Sequence, residues 1–381
     1  MFQLGLKQML YQYNSYYKIL STYYSKNIIM RHLIVLLSSV LLFAACKKED
    51  KPTSSIKPYY VLGIQENNSF LGSAVLWKDS AQTVIQADEG NYARPIDMKM
   101  VGNDVYSVVN HRGSTGARVF RVLKNSTVLF DIPYADKDIF AIAVNGADVY
   151  LVGYTAIANS APPYARATIW KNGTQSFIGP SDRYTVMTDV VFANGKLQAI
   201  GTEWDLAPTN NFLTKIWTDG VATTFTTDCQ DPVSLVVEGS DTYVLGYTKN
   251  NYRAAYWKNG TMVNELAATP GVFSSPQGRN MVVKGQDVYV AGHENITINT
   301  SGVPFARYWK NGVATNLTNP FGERRSYGYD IAVDGTDVYV VGSADFADSG
   351  IRTVAMMWKN NTPIRLGIMG SYSEAFRVAI K

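Results

Sequence analysis

Asp337-Val338-Tyr339-Val340-Val341-Gly342, followed by Ala355-Met356-Met357-Trp358-Lys359-Asn360, is the stretch on which the fold turns. Both halves recur. The tyrosine position of the first is filled by Tyr60, Tyr106, Tyr150, Gln198, Tyr243, Tyr289 and Tyr339. The tryptophan position of the second is filled by Trp77, Leu123, Trp170, Trp217, Trp257, Trp309 and Trp358, at steps of 46, 47, 47, 40, 52 and 49 residues. Seven copies in register make an internal repeat, and each copy is one supersecondary unit that needs its neighbours to bury a core.

Each unit reads as four strands, in the last copy Asp330 to Val333, Asp337 to Gly342, Arg352 to Trp358 and Thr362 to Leu366. Alternation and β-branched content support this. Asn172-Gly173, Asn259-Gly260 and Asn311-Gly312 supply the positive φ of a tight hairpin between third and fourth strands; Asn145-Gly146, Asn194-Gly195 and Asp334-Gly335 do so between first and second. Four-stranded antiparallel units repeated seven times predict an all-β, seven-bladed β-propeller. The first unit begins at its second strand, Tyr59 to Gly63, and the chain finishes with a lone strand, Ala375 to Ile380. The ring is therefore expected to close by pairing the two termini.

The body is electrically neutral. All of the net charge of +4 comes from Lys7, Lys18, Lys26 and Arg31, and residues 46–381 hold 31 bases against 31 acids. A neutral body without basic runs argues against a nucleic-acid partner. The eleven-residue, largely apolar stretch Leu33 to Phe43 follows Met30, Arg31 and His32. It falls short of the ~20 residues that span a bilayer and suits the h-region of a secretory signal.

Three resemblances follow from these residues. Leu42-Phe43-Ala44-Ala45-Cys46 resembles the lipobox of bacterial lipoproteins, which implies acylation of Cys46 and a stable membrane anchor. Lys47-Lys48-Glu49-Asp50 is similar to the export signal behind the lipidated cysteine of some Gram-negative surface lipoproteins, which implies an outer-membrane, surface-exposed location. Over residues 59–381, Tyr-Val-x-Gly strands with Trp-Lys-Asn-Gly turns resemble the β-propeller repeat families of bacterial secreted and lipoprotein chains. That resemblance specifies a fold and no reaction. The organisation expected is upstream translation over 1–29, a lipoprotein signal peptide over 30–45, the lipidated cysteine and a flexible tether over 46–58, and the propeller over 59–381. The tether Lys47 to Lys57 reaches ~35 Å when extended. Cys229 has no partner once Cys46 is acylated and is expected to be a small semi-buried residue.

Six of the seven tryptophans occupy the repeat position and are expected to pack between blades. Asp104, Asp148, Asp241, Asp287 and Asp337 recur two residues before the tyrosine position, and Arg121, Arg166, Lys215, Arg253, Arg307 and Arg352 recur at even spacing before the tryptophan position. Both sets are expected to be structural rings. Function is expected on the opposite face, where the longer, variable connections gather. Trp204, the one tryptophan outside the repeat, lies there with Glu203 and Asp205, as do His111 and His293, just past their second strands. Two histidines on separate blades are too few donors for a metal. Connections into the first strands carry Tyr92, Arg94, Tyr134, Arg183, Tyr184, Arg279, Arg324, Arg325, Tyr327, Tyr329 and Tyr372. Asp97, Asp189, Ser234, Asn280, Asp330 and Glu374 begin the inner strands and are expected to ring the channel mouth.

Aromatic faces with polar tips, beside Arg and Asp, suit a sugar or peptide. The sequence contains no Gly-x-Ser-x-Gly elbow, His-Glu-x-x-His helix or phosphate loop. The expectation is thus a monomeric, non-catalytic lipoprotein without cofactor that binds a glycan, peptide or protein. The alternative is a polysaccharide-acting hydrolase or lyase, with carboxylates such as Asp97 and Asp330 at the channel mouth.

Overall fold

The structure is a computed structural model that describes residues 57–66, 72–86, 93–112, 116–157, 165–205, 211–298, 301–346 and 353–381, with the backbone alone at Asp205 and Asn211. The signal peptide, Cys46, the tether, Tyr92 and Arg352 lie outside the described residues. Pro58–Lys381 forms one compact unit. No helix among the described residues is long and apolar enough to cross a membrane.

Seven four-stranded antiparallel sheets form a seven-bladed β-propeller. The innermost strands are Ser373–Ile380, Ala93–Val101, Lys137–Asn145, Tyr184–Ala193, Cys229–Glu238, Ser274–Lys284 and Ser326–Asp334, in blades 1 to 7. Blade 1 takes its inner strand from the C-terminus: Tyr59 pairs with Ile380 and Gln65 with Ser373. The expected closure of the ring is therefore present, and opening it would break main-chain hydrogen bonds.

One large side chain seals each interface between blades. Trp77, Leu123, Trp170, Trp217, Trp257, Trp309 and Trp358 each enter a separate core shared with the preceding blade. The six tryptophans are at most 1 % exposed. At roughly 25 cal/mol per Å² and 150–250 Å² per aromatic side chain, each contributes about 4–6 kcal/mol of burial.

The Asp-x-Tyr and Lys-Asn halves of the repeat meet in a single device on the tight-turn face. In blade 6, Asn311 sits at φ 51°. Its Oδ1 accepts from the Val288 amide at 2.8 Å and its Nδ2 donates to Asp287 at 2.8 Å. Lys310 pairs with the other oxygen of Asp287 at 2.7 Å and lies over the Tyr289 ring. The same group recurs around Asn125, Asn172, Asn259 and Asn360. The aspartates are thus a structural ring, as expected. The basic set finds two kinds of carboxylate partner, on the fourth strand for Arg121–Asp131 and Arg253–Glu265 and on the second for Lys215–Glu203 and Arg307–Glu294, while Arg166 donates to the Gly179 carbonyl.

The glycine that ends the Tyr-Val-x-Gly motif also has a specific cause. Six inner strands carry one unpaired extra residue, namely Phe376, Ile96, Phe140, Thr188, Arg279 and Tyr329 in blades 1, 2, 3, 4, 6 and 7; blade 5 has a longer irregularity between Gln230 and Ser234. Such a bulge bends the strand and re-aims its side chains. Opposite it, a Cβ on Gly63, Gly153, Gly201, Gly292 or Gly342 would collide with the carbonyl oxygen of the bulged strand. In these five blades glycine is present because the backbones approach too closely for a side chain, whereas blade 2 carries Val109 at this position.

Candidate functional site

The residue after each bulge turns into the central channel, except in blade 3, where Ala141 joins the core shared with blade 4. These residues are Arg377, Asp97, Ala141, Asp189, Ser234, Asn280 and Asp330, in blades 1 to 7. Most reach the next blade. Asp97 accepts from the Ile142 amide at 3.0 Å, Asp189 from the Leu235 amide at 2.7 Å, and Asp330 from the Val378 amide at 2.8 Å. Ser234 bonds Asn280 at 2.6 Å, Asn280 donates to Asp330 at 2.6 Å, and Arg377 Nε donates to Asp97 at 2.7 Å. Blade 3, with Ala141 at this position, makes no such bond to blade 4. Lys99 in blade 2 pulls on the charge of Asp189 across the channel, although burial prevails there.

This ring corrects the sequence expectation in two respects. Arg377, not Glu374, is the blade 1 member, because the bulge at Phe376 shifts which side chain faces the channel. Glu374 instead accepts from the Tyr329 hydroxyl at 3.0 Å. The ring also sits within the channel rather than at the variable-loop mouth. It heads a cavity of 440 Å³ whose lining continues through Lys99, Val282, Val333 and Ile380 toward the tight-turn end.

The ring's electrostatics follow from burial and two bases. Burial works against ionisation of Asp97, but Lys99 and Arg377, with the Ile142 amide, outweigh it and hold the carboxyl below its usual range. Burial prevails at Asp189 and Asp330, whose pKa values are raised against the pull of Lys99 and Arg377 respectively. The charge of Asp97 raises Lys99. All three carboxylates are committed to amides or side chains that hold blades together.

Above the ring, toward the variable loops, the bulged residues and their neighbours form an aromatic rim. His293 meets Tyr327 edge-on at 5.0 Å, Tyr327 stacks on Tyr329 at 5.9 Å, Tyr329 leans on Phe376 at 5.6 Å, and Arg94 lies 5.7 Å over Phe376. This arc crosses blades 6, 7, 1 and 2. A second group covers blades 3 and 4: Tyr184 meets Trp204 edge-on at 6.4 Å, Trp204 stacks on Phe212 at 5.2 Å, and Phe140 lies 6.1 Å from Tyr154. Arg183 borders it, 3.4 Å from Glu203. Between the two, exposed Arg279 stands close enough to act on three neighbours: burial lowers His293 and Arg279 adds to that, whereas burial raises Tyr247 and Tyr327 and Arg279 only opposes it. Arg325 is exposed on the same side and acts on Tyr327.

The sequence-derived residues thus separate into three groups. Tyr327, Tyr329 and Arg94 come together in one arc, Trp204 and Tyr184 with Arg183 form another, and Asp97 and Asp330 belong to the channel ring below. Trp204, His111 and His293 were expected in loops, yet the second strands run on to Asp205, Arg112 and Ile298 and include all three. Both histidines are buried, at 4 % and 3 % exposure. They also differ in register, His293 following Gly292 directly and His111 standing two residues beyond Val109, so alternation sends them to opposite blade faces. Burial, then Arg279, pushes the His293 imidazole down to about 3. No group of three or more His, Cys, Asp or Glu side chains among the described residues is arranged to hold a metal. Cys229 is fully buried, and burial pushes its thiol up to about 12, so it is inert packing. Sequence reasoning missed Phe376 and Phe140, whose signal was their position just before the channel residue.

No family model matches the chain, and no curated protein matches it by sequence. Among solved structures it is similar to a puromycin hydrolase at 9 % identity and a TM-score of 0.54, covering 82 % of this chain and 52 % of that one. It is also similar to the acylaminoacyl peptidase of Pyrococcus horikoshii at 12 % identity and a TM-score of 0.50, covering 82 % and 51 %. The chain therefore spans about half the length of these two. The β-propeller domain of the trilobed protease of Pyrococcus furiosus aligns at 11 % identity and a TM-score of 0.49, over 82 % of this chain and 93 % of that one. At such identities the likeness concerns the fold alone.

Proposed function

We propose that the protein is a non-catalytic, surface-anchored lipoprotein that binds a glycan on the aromatic rim of its variable-loop face. The observation that carries this reading is the arc His293–Tyr327–Tyr329–Phe376–Arg94, built by four blades around one axis. The half-buried rings of Tyr327, Tyr329 and Phe376 offer the apolar surface that sugar C–H groups require, buried His293 backs Tyr327, and the bordering Arg94, Arg279 and Arg325 offer directed donors. Each aromatic is held by its neighbour or, at Tyr329, by Glu374, so little side-chain entropy is lost on binding. A peptide or protein ligand would use the same face.

The alternative of a polysaccharide-acting hydrolase or lyase has less support. Both oxygens of Asp97, Asp189 and Asp330 accept hydrogen bonds from protein groups. Carboxylates fixed in this way are suited to holding blades together rather than to transferring protons. Titration of the protein against a polysaccharide panel, with product release assayed in parallel, tests the choice. Saturable binding without new reducing ends or unsaturated products is expected, and turnover lost in Asp330→Asn would overturn it.

Anchoring rests on Cys46 and the basic and acidic residues after it. Metabolic labelling with a palmitate analogue should mark the wild-type chain and not Cys46→Ser, which should leave the membrane fraction. A Cys46→Ser chain that still labels and sediments contradicts the anchor.

A further inference from the structure

We propose a second binding site, separate from the central rim, on the outer part of blade 6: a pocket for a small monocarboxylate with an apolar body. Its floor is set by a buried ion pair. Glu294, fully buried, accepts from the Thr269 amide at 2.7 Å, from the Thr269 hydroxyl at 2.8 Å and from the Ser274 hydroxyl. Its second oxygen also lies 2.8 Å from Arg307 Nε. Arg307 is only 6 % exposed, and burial lowers its pKa although Glu294 opposes the shift.

The guanidinium is under-used. Its Nε–H is buried, is not aligned on Glu294 and makes no hydrogen bond. A buried arginine left in this way carries a large desolvation cost, which a planar anion accepting two parallel N–H bonds would offset. Glu294, fixed by three other donors, holds the fork in place from behind.

Arg307 lines a cavity of 500 Å³ with Ile296, Ile298, Phe305 and Leu317 as apolar walls. That volume lies in the range of small-molecule sites. The charges define the ligand further. Glu294 behind Arg307 and exposed Glu323 at the rim disfavour a second negative charge, so the site takes one carboxylate on a compact hydrocarbon or aromatic body. A medium-chain fatty acid and an apolar amino acid share this chemistry. Glu323 favours the amino acid through its ammonium group.

Isothermal titration calorimetry of the folded chain with octanoate and with L-phenylalanine, each against its uncharged amide (octanamide, L-phenylalaninamide), tests the site and separates the two sources. At least one acid is expected to bind with a Kd of about 1 mM or tighter and roughly tenfold or more tightly than its amide. Arg307→Lys keeps the charge beside Glu294 but loses the fork, and should weaken binding by about tenfold or more. Because that change disturbs a buried pair, Ile298→Glu at the half-exposed wall is the second variant. It should abolish acid binding with the melting temperature unchanged. Neither acid binding at about 1 mM, acid and amide binding alike, or Ile298→Glu binding as wild type would each overturn the proposal. None of these results bears on the aromatic rim.

Discussion

Replacing Arg377 with methionine removes the one cation that ties the C-terminal strand to blade 2 inside the channel. Its Nε lies 2.7 Å from Asp97 Oδ1, with side-chain exposures of 26 % and 5 %. Deleting one partner of a buried pair costs about 3–5 kcal/mol because the other charge is left behind. Here Arg377 retains a quarter of its exposure, and Lys99 remains 3.9 Å from Asp97. Both reduce the penalty, so a loss of about 2–3 kcal/mol is expected. The pH dependence has a definite sign. Asp97 is held below the ordinary carboxylate range, so its contribution is present above pH ~4 and fades as pH falls through its folded-state pKa. Urea unfolding of wild type, Arg377→Met, Asp97→Asn and the double variant at neutral and acid pH measures both quantities. The two substitutions should be coupled by at least ~1 kcal/mol at neutral pH. A loss in Arg377→Met within ~0.5 kcal/mol, additive behaviour, or a cost that does not shrink in acid would refute the ring as a closing device.

Two further substitutions probe the framework under the rim. Gly342→Ala places a Cβ against the Tyr327 carbonyl at the blade 7 bulge and should cost about 3 kcal/mol; a neutral result in a urea melt would show that the bulge can relax. His293, neutral down to about pH 3, should make stability fall by roughly 1.4 kcal/mol per unit as pH drops below its unfolded value near 6.5. His293→Gln should flatten that slope, and an unchanged slope would mean that other groups produce it.

The blade count and the inter-blade tryptophans were legible because the strand motif recurs seven times and the tryptophan six, and the closure because the first copy lacks a strand that the chain end supplies. Asp-x-Tyr and Lys-Asn were equally visible, and the structure joins them into one hairpin device. The bulge was not legible. It adds one residue to each inner strand, so a strict two-residue alternation assigns Glu374 where Arg377 stands and places Asp97 and Asp330 at a mouth they do not reach. In five blades the glycine of Tyr-Val-x-Gly is its indirect trace, since there the backbones approach too closely for a side chain. His111 and His293 misled for a related reason. Strand ends were drawn at the glycine, whereas pairing continues beyond it and buries both rings. Arg307 was visible as one of the recurring basic residues, and its pairing with Glu294 has a counterpart in blade 4, where Lys215 lies 3.4 Å from Glu203; the sequence did not show that the blade 6 pair is buried beside a cavity.

Oxidative footprinting of the folded protein, with and without a saturating polysaccharide mixture, tests the central proposal most directly. Tyr327, Tyr329, Phe376 and Trp204 should be protected on binding, while half-buried Tyr150 beside a tight turn should react as before. Protection confined to Tyr150, or none at any position, would contradict a glycan site on the aromatic rim.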